Sequence, residues 1–297
     1  MGLLSRGRDW PVIPDGKYRI ERLLDRGGMG SVYVARDVTL DRQVAIKVIR
    51  PELVPDPVAR ERFNREAQTL ARLKHPSIVT VFATGSLADG GPYLVMELVH
   101  GVDLRHELAA EGSLDPDRAS RILNAVCSAM ESAHRDGVLH GDLKPENIML
   151  PDDPESEVDA KVLDFGVAQA IRADGPEPFG QGRVDAIAVA SADMPIVGTP
   201  AYMAPEQLRG QTPSPRTDVF SLGVIAYEML TGELPFGSGS AAEVALAQER
   251  RRPAGHLDTL PPALSRAVTA ALAIDADRRP VSAQALAHLI GAAAGGL

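Results

Sequence analysis

The densest chemistry in the chain lies in His140-Gly141-Asp142-Leu143-Lys144-Pro145-Glu146-Asn147. It sets a carboxylate, an ammonium and an amide within six positions, between the apolar runs Gly137-Val138-Leu139 and Ile148-Met149-Leu150. A lone Asp in a loop is ordinarily a turn residue, but so dense a polar string is hard to dismiss as a turn. A second acid, Asp164, ends a short apolar strand in Leu163-Asp164-Phe165-Gly166. Further on, Gly198-Thr199-Pro200 precedes Ala204-Pro205-Glu206.

Two signals nearer the N-terminus suit phosphate. Gly27-Gly28-Met29-Gly30-Ser31-Val32 is a glycine turn between two strand-like runs. Glycines let backbone N–H groups approach an anion with no Cβ in the way. A structural hairpin explains such a turn equally well. A dinucleotide fold does not, because it needs a helix where a strand follows here. In Val44-Ala45-Ile46-Lys47 a lysine stands among alternating apolar residues. It could snorkel at a strand end, or grip phosphate oxygens if a carboxylate held it. Glu66 is the candidate partner, and taken singly reads as a solvated helix residue.

The elements that must carry these residues follow from periodicity. Tyr18 to Leu23, Ser31 to Arg36 and Gln43 to Ile49 alternate as strands do, with a turn at Leu40-Asp41-Arg42. Phe63, Ala67, Leu70 and Leu73 fall at helical spacing between Arg60 and Lys74, and His75-Pro76 ends that helix. Ile78 to Phe82 and Tyr93 to Glu97 read as two more strands. The first hundred residues thus predict a five-stranded antiparallel sheet with one helix. After Gly101 the chain turns helical, with apolar stripes from Ala119 to Ala133, at Leu264, Val268 and Leu272, and at Leu286, Leu289 and Ile290 after a Ser282 cap. Val219 to Leu230 predicts a buried helix. Ala173 to Pro195 has no clear period and reads as a long loop.

Composition narrows the partners. The 297 residues include 31 basic and 40 acidic ones, a net charge of −9, which argues against a nucleic-acid binder. No apolar run approaches the ~20 residues that span a bilayer. Arg6, Arg8, Asp9 and Trp10 stand where a signal peptide would have an apolar core, so a cytoplasmic location is expected. The single cysteine, Cys127, excludes an internal disulfide and a cysteine zinc site, and reads as a small buried hydrophobe.

Taken together, and in this order, the five motifs resemble those of a protein kinase, of the eukaryotic-like (Hanks-type) Ser/Thr class found in bacteria. The resemblance runs from about Tyr18 to Ile290. It implies an α+β, two-lobed fold: a leader to residue 16, a small antiparallel lobe over 17–100, a mostly helical lobe over 101–290, and a short tail over 291–297. ATP would sit between the lobes. The resemblance places Gly27, Gly28 and Gly30 over its phosphates, with Val32 and Ala45 also lining the nucleotide site. Lys47 would hold the α- and β-phosphates and pair with Glu66. Met96 would be the gatekeeper and Glu97 to Val99 the hinge. Asp142 would orient the substrate hydroxyl, Lys144 would steady the γ-phosphate, and Asn147 and Asp164 would hold Mg²⁺. The substrates implied are proteins bearing Ser or Thr. Glu206 would pair with Arg279, and Asp218 would brace the catalytic loop. Leu70, Val81, His140 and Phe165 would form an apolar stack.

Three departures stand out. Asp25 replaces the first glycine of the loop, which should weaken nucleotide binding modestly. Gly141 replaces the arginine that family members use to bind a phosphate on the activation loop. Between Asp164 and Glu206 the hydroxyl side chains are Ser191, Thr199 and Tyr202, so activity independent of loop phosphorylation is expected. The apolar run Ala186 to Ala190 makes Ala173 to Pro195 a candidate partner contact. These departures also leave room for the alternative of a kinase-like scaffold with weak catalysis.

Overall fold

The computed structural model describes residues 10–54, 56–153, 156–165, 199–250, 257 and 260–294. The chain divides into two units, one reaching to Arg72 and including Thr80–Leu98, the other made of Leu73–Val79 and the chain from Val99.

The first unit is built on β1 (Tyr18–Arg26), β2 (Gly30–Asp37), β3 (Arg42–Ile49), β4 (Val81–Ser86) and β5 (Pro92–Glu97). They pair antiparallel in the order β1-β2-β3-β5-β4. The β2–β3 turn works because Asp41 takes a φ of 46°, a left-handed conformation that Asp tolerates. Alternation sorts β3 by face. Val44 and Ile46 join Tyr18, Ala35, Tyr93 and Val95 in a core, leaving Ala45 and Lys47 to the opposite face. Helix α1 (Pro57–Leu70) starts where the Asp56 side chain accepts the Ala59 N–H at 2.8 Å, with Pro57 in the first turn.

One strand differs from expectation. Ile78 does not open β4; it makes a parallel bridge to Val162 in the second unit, and β4 begins at Val81. The apolar run Ile78-Val79 is continuous with β4 in sequence, so periodicity could not separate them.

The second unit carries a small sheet of β6 (Gly101–Asp103), β7 (Ile148–Pro151) and β8 (Lys161–Val162). Helices follow: α2 (Leu104–Glu111), α3 (Pro116–Arg135), the short α4 (Pro205–Leu208), α5 (Pro215–Thr231), α6 (Ala241–Glu249), α7 (Pro262–Ala271) and α8 (Ala283–Ala294). The α3 stripe is buried from Ala119 to Ala133, and Cys127 is buried within it, where burial pushes its thiol up to about 12. Helix α5 is buried along both faces from Thr217 to Leu230, as its apolar sequence requires, and ends at Gly232 with φ 75°. The Ser282 hydroxyl accepts the Ala285 N–H at 3.2 Å, confirming that cap. Leu286 and Ile290 are buried, whereas Leu289 is exposed, and the helix runs past residue 290 to Ala294.

Candidate active site

In the first unit, strand register gathers the expected nucleotide contacts on one face. Val32 lies opposite Lys47, and Met96 opposite Ala45. Cross-strand partners share a face, and so do residues two apart on one strand. Val32, Ala45, Lys47 and Met96 therefore form one patch, three apolar side chains beside an ammonium. Lys47, Ala45 and Met96 are buried. Glu97 ends β5, and its N–H donates to the Thr80 carbonyl at 2.9 Å.

The three glycines have different reasons to be glycine. A Cβ on Gly30 would stand 1.9 Å from the Val48 carbonyl oxygen, so β3 itself excludes any side chain there. A Cβ on Gly27 or Gly28 would meet nothing within 4 Å. Packing does not demand glycine at those two positions, and both are exposed backbone that an anion can approach. The carboxylate of Asp25 accepts the Arg26 N–H at 2.7 Å at an exposed position. Glu66 is half-buried on α1. Burial pushes its carboxyl above the usual range, and the Arg62 guanidinium opposes that shift.

In the second unit the polar string between Leu139 and Ile148 becomes a compact loop. Lys144 Nζ meets the Asp142 carboxylate at 2.9 Å. Asn147, at the end of the short 3-10 helix Pro145–Asn147, donates its amide N–H to the Asp142 carbonyl at 2.8 Å. That bond orients the amide, turning its oxygen to the other side. The Leu163 N–H donates to the Asn147 carbonyl at 2.8 Å, which brings Asp164 beside the loop. Asp164 has a φ of 59°, an uncommon conformation of the kind found where function fixes the backbone. The amide oxygen of Asn147 and the carboxylate of Asp164 are hard oxygen donors. They fit a small divalent cation that keeps several of its waters.

A buried acid anchors the loop. Asp218, in the first turn of α5, accepts the N–H of His140 at 3.0 Å and of Gly141 at 2.9 Å, and the His134 ring at 2.8 Å. Burial alone would raise its pKa; the His134 hydrogen bond, the neighbouring imidazoles and the Gly141 N–H outweigh this and hold it below the usual range. Gly141 has a φ of 71°, which favours glycine. The His140 ring lies 4.9 Å from that of Phe165 and bonds to the Leu163 carbonyl. Glu206 and Arg279 form the expected pair, through two contacts of 2.7 and 2.8 Å.

Two participants escaped sequence reasoning. Gln207 donates to the Gly141 carbonyl at 2.8 Å and accepts the Ala204 N–H at 2.9 Å, tying α4 to the loop. Arg105 on α2 contacts Glu146, Glu228 and the Tyr202 hydroxyl. Nothing in local composition marks the long-range contacts, since Gly141 lies 66 positions from Gln207, and Glu146, Tyr202 and Glu228 lie 41, 97 and 123 positions from Arg105. The expected partner segment Ala173 to Pro195, with Ser191, lies outside the described residues, as does Gly166.

The model of the protein kinase domain matches residues 18–290. The serine/threonine-protein kinase pkn3 of Myxococcus xanthus is 41% identical over 279 residues, 91% of this chain and 48% of its own length. The serine/threonine-protein kinase PknB of Mycobacterium tuberculosis (strain H37Rv) is 42% identical over 241 residues, 80% of this chain and 36% of its own. The chain thus spans half or less of the length of these curated relatives. The crystal structure of the Mycobacterium tuberculosis PknI kinase domain superposes with a TM-score of 0.70 at 25% identity, covering 93% of this chain and 96% of that one. With its glycine turn, its Lys47 strand and its Asp142 loop in the family's order, the chain belongs to the protein kinase domain family, among the bacterial Hanks-type Ser/Thr kinases.

Proposed function

We propose that the chain transfers the γ-phosphoryl group of ATP to Ser or Thr hydroxyls of proteins, with Mg²⁺ as the divalent ion. The observation that carries this is the Asp142 loop: Asp142, Lys144 and Asn147 held to one another, with Asp164 tethered alongside and Asp218 beneath. Phosphoryl transfer passes through a loose transition state, so placement and positive charge do most of the work. Asp142 orients the incoming hydroxyl and accepts its proton. Lys144, two residues on, supplies positive charge to the transferring group. Lys47 would hold the α- and β-phosphates, under the backbone of Gly27, Gly28 and Gly30, and Glu66 would serve as its carboxylate partner. Val32, Ala45 and Met96 give the adenine an apolar surface, and Glu97 to Val99 offer it backbone hydrogen bonds. Asn147 and Asp164 hold the Mg²⁺, which when bound neutralises phosphate charge.

Gly141 supports activity without activation-loop phosphorylation, because it leaves no guanidinium before Asp142 to receive a phosphate. Among the described residues no helix is long and apolar enough to cross a membrane. The acidic net charge supports protein substrates over nucleic acid.

The test is transfer of radiolabelled phosphate from ATP to a protein substrate, with Asp142→Asn as control. Loss of the general base is expected to cut kcat about 10²–10⁴-fold. Equal labelling by the two proteins would reject the assignment in favour of a scaffold with weak catalysis.

A further inference from the structure

Two carboxylates from distant parts of the second unit converge on Arg105. Its Nε contacts Glu146 at 3.2 Å, and its Nη1 contacts Glu228 at 2.7 Å. The remaining nitrogen bonds the Tyr202 hydroxyl, which itself donates to Glu228 at 2.5 Å. Glu228 is buried on α5, while the Arg105 and Glu146 side chains are 33% and 41% exposed. The cluster is thus anchored in the core and open to solvent at one end.

Its position next to the reacting loop gives it a role. Glu146 stands between Pro145 and the Asn147 that clamps Asp142. Tyr202 ends the 3-10 helix Pro200–Tyr202, just before Ala204-Pro205-Glu206. Glu146 lies four residues past Asp142 with its side chain open to solvent, so a peptide that brings a hydroxyl to Asp142 can set a neighbouring side chain against it. A buried carboxylate and a part-exposed one, set beside each other where the cluster reaches solvent, form a receptor for a guanidinium. In this chain the guanidinium is its own.

We infer that Arg105 fills, in cis, a subsite for a basic substrate side chain, and so sets specificity by removing selection for arginine at that position. Glu146 and Glu228 are spent on Arg105. An incoming arginine would have to displace a side chain already bonded to both acids and to Tyr202. The inference rests on the protein kinase activity proposed above.

A positional-scanning library of Ser and Thr peptides tests it, with the wild type, Arg105→Ala and Arg105→Ala/Glu146→Gln. The wild type is expected to show no enrichment for arginine at any position. Arg105→Ala is expected to gain about tenfold enrichment at one position, the scale of one charge-assisted pair. The gain should appear as a lower KM with kcat held, and the double variant should lose it. A wild type that already selects arginine, or an Arg105→Ala profile identical to it, overturns the inference. If Arg105→Ala does not fold because Glu228 is left buried and unpaired, Arg105→Met/Glu228→Gln takes its place. That variant should gain a smaller enrichment through Glu146, and a flat profile there is equally fatal. A wild type that labels no peptide and no protein rejects the kinase activity and this inference together; labelling with unchanged profiles rejects the subsite alone.

Discussion

Asp218 Oδ1 accepts the backbone N–H of Gly141 at 2.9 Å, so a fully buried carboxylate fixes the residue that precedes Asp142. Its other oxygen takes the His140 N–H and the His134 ring. Asp218→Asn keeps the shape, but its amide turns donors toward donors. The expected cost is about 2–4 kcal/mol of stability, together with a fall in kcat. Acid should erase part of the difference. The Asp218 pKa is lowered in the fold, so its contribution is complete above the ordinary value of 3.8 and fades as pH falls through the folded value. Urea unfolding at neutral pH and below 3.8 checks this: a gap between variant and wild type that stays constant into acid would contradict it.

Glu206 and Arg279 make a second prediction. The Arg279 guanidinium is wholly buried. It also donates to the carbonyls of Ala273 and Arg216 at 2.8 Å each, and lies 4.9 Å from the Phe220 ring. Burial alone would raise the Glu206 pKa, but Arg279 outweighs it and the net shift is downward. The pair therefore stabilises the fold above the ordinary carboxyl range and loses that contribution as pH drops through the folded value. Glu206→Gln strands a buried cation and should cost about 3–5 kcal/mol, visible as a lower denaturant midpoint. Glu206→Gln/Arg279→Met should cost less than the two single variants summed. Additive losses would mean that the two side chains are not coupled.

How much was legible in the sequence follows from how local each signal is. The β3 alternation of Val44, Ala45, Ile46 and Lys47 set both the core face and the Lys47 face, because a strand's period is written in consecutive residues. The buried helix over Val219 to Leu230 was legible for the same reason. Asp218 and the Glu206–Arg279 pair came only through resemblance, since their partners lie 77 and 73 positions away. Arg105 had neither aid. Its partners Glu146 and Glu228 are 41 and 123 positions distant, and a lone arginine on an amphipathic helix looks solvated. The β4 start was misplaced because Ile78 is as apolar as a strand residue, yet its backbone pairs with Val162 instead.

Asp25 gives a prediction about nucleotide affinity. It stands where the family has a glycine, and its carboxylate is exposed beside Gly27 and Gly28. Its hydrogen bond to the Arg26 N–H holds the negative charge near the loop instead of letting it swing freely. Asp25→Gly should therefore lower the KM for ATP. An exposed charge acting through solvent is worth at most about 1 kcal/mol, which caps the gain at roughly fivefold. The gain should shrink as salt is added, because the repulsion is screened. An unchanged KM at low ionic strength counts against the charge having any such effect.

Gly141 carries the last prediction. With φ at 71°, its N–H on Asp218 and its carbonyl on Gln207, its backbone is held at both ends in a conformation that disfavours a Cβ. Gly141→Ala is expected to cost about 1–2 kcal/mol of stability, and to lower kcat more than the KM for ATP, since Asp142 is the next residue. An arginine placed there would meet the same strain. With glycine at position 141 there is no cation immediately before Asp142 to receive a loop phosphate. Phosphatase-treated wild type should accordingly retain its kcat. A loss of activity on phosphatase treatment that phosphorylation of Ser191 restores would show that some other cation receives the phosphate, and that Gly141 does not free the catalytic loop from that control.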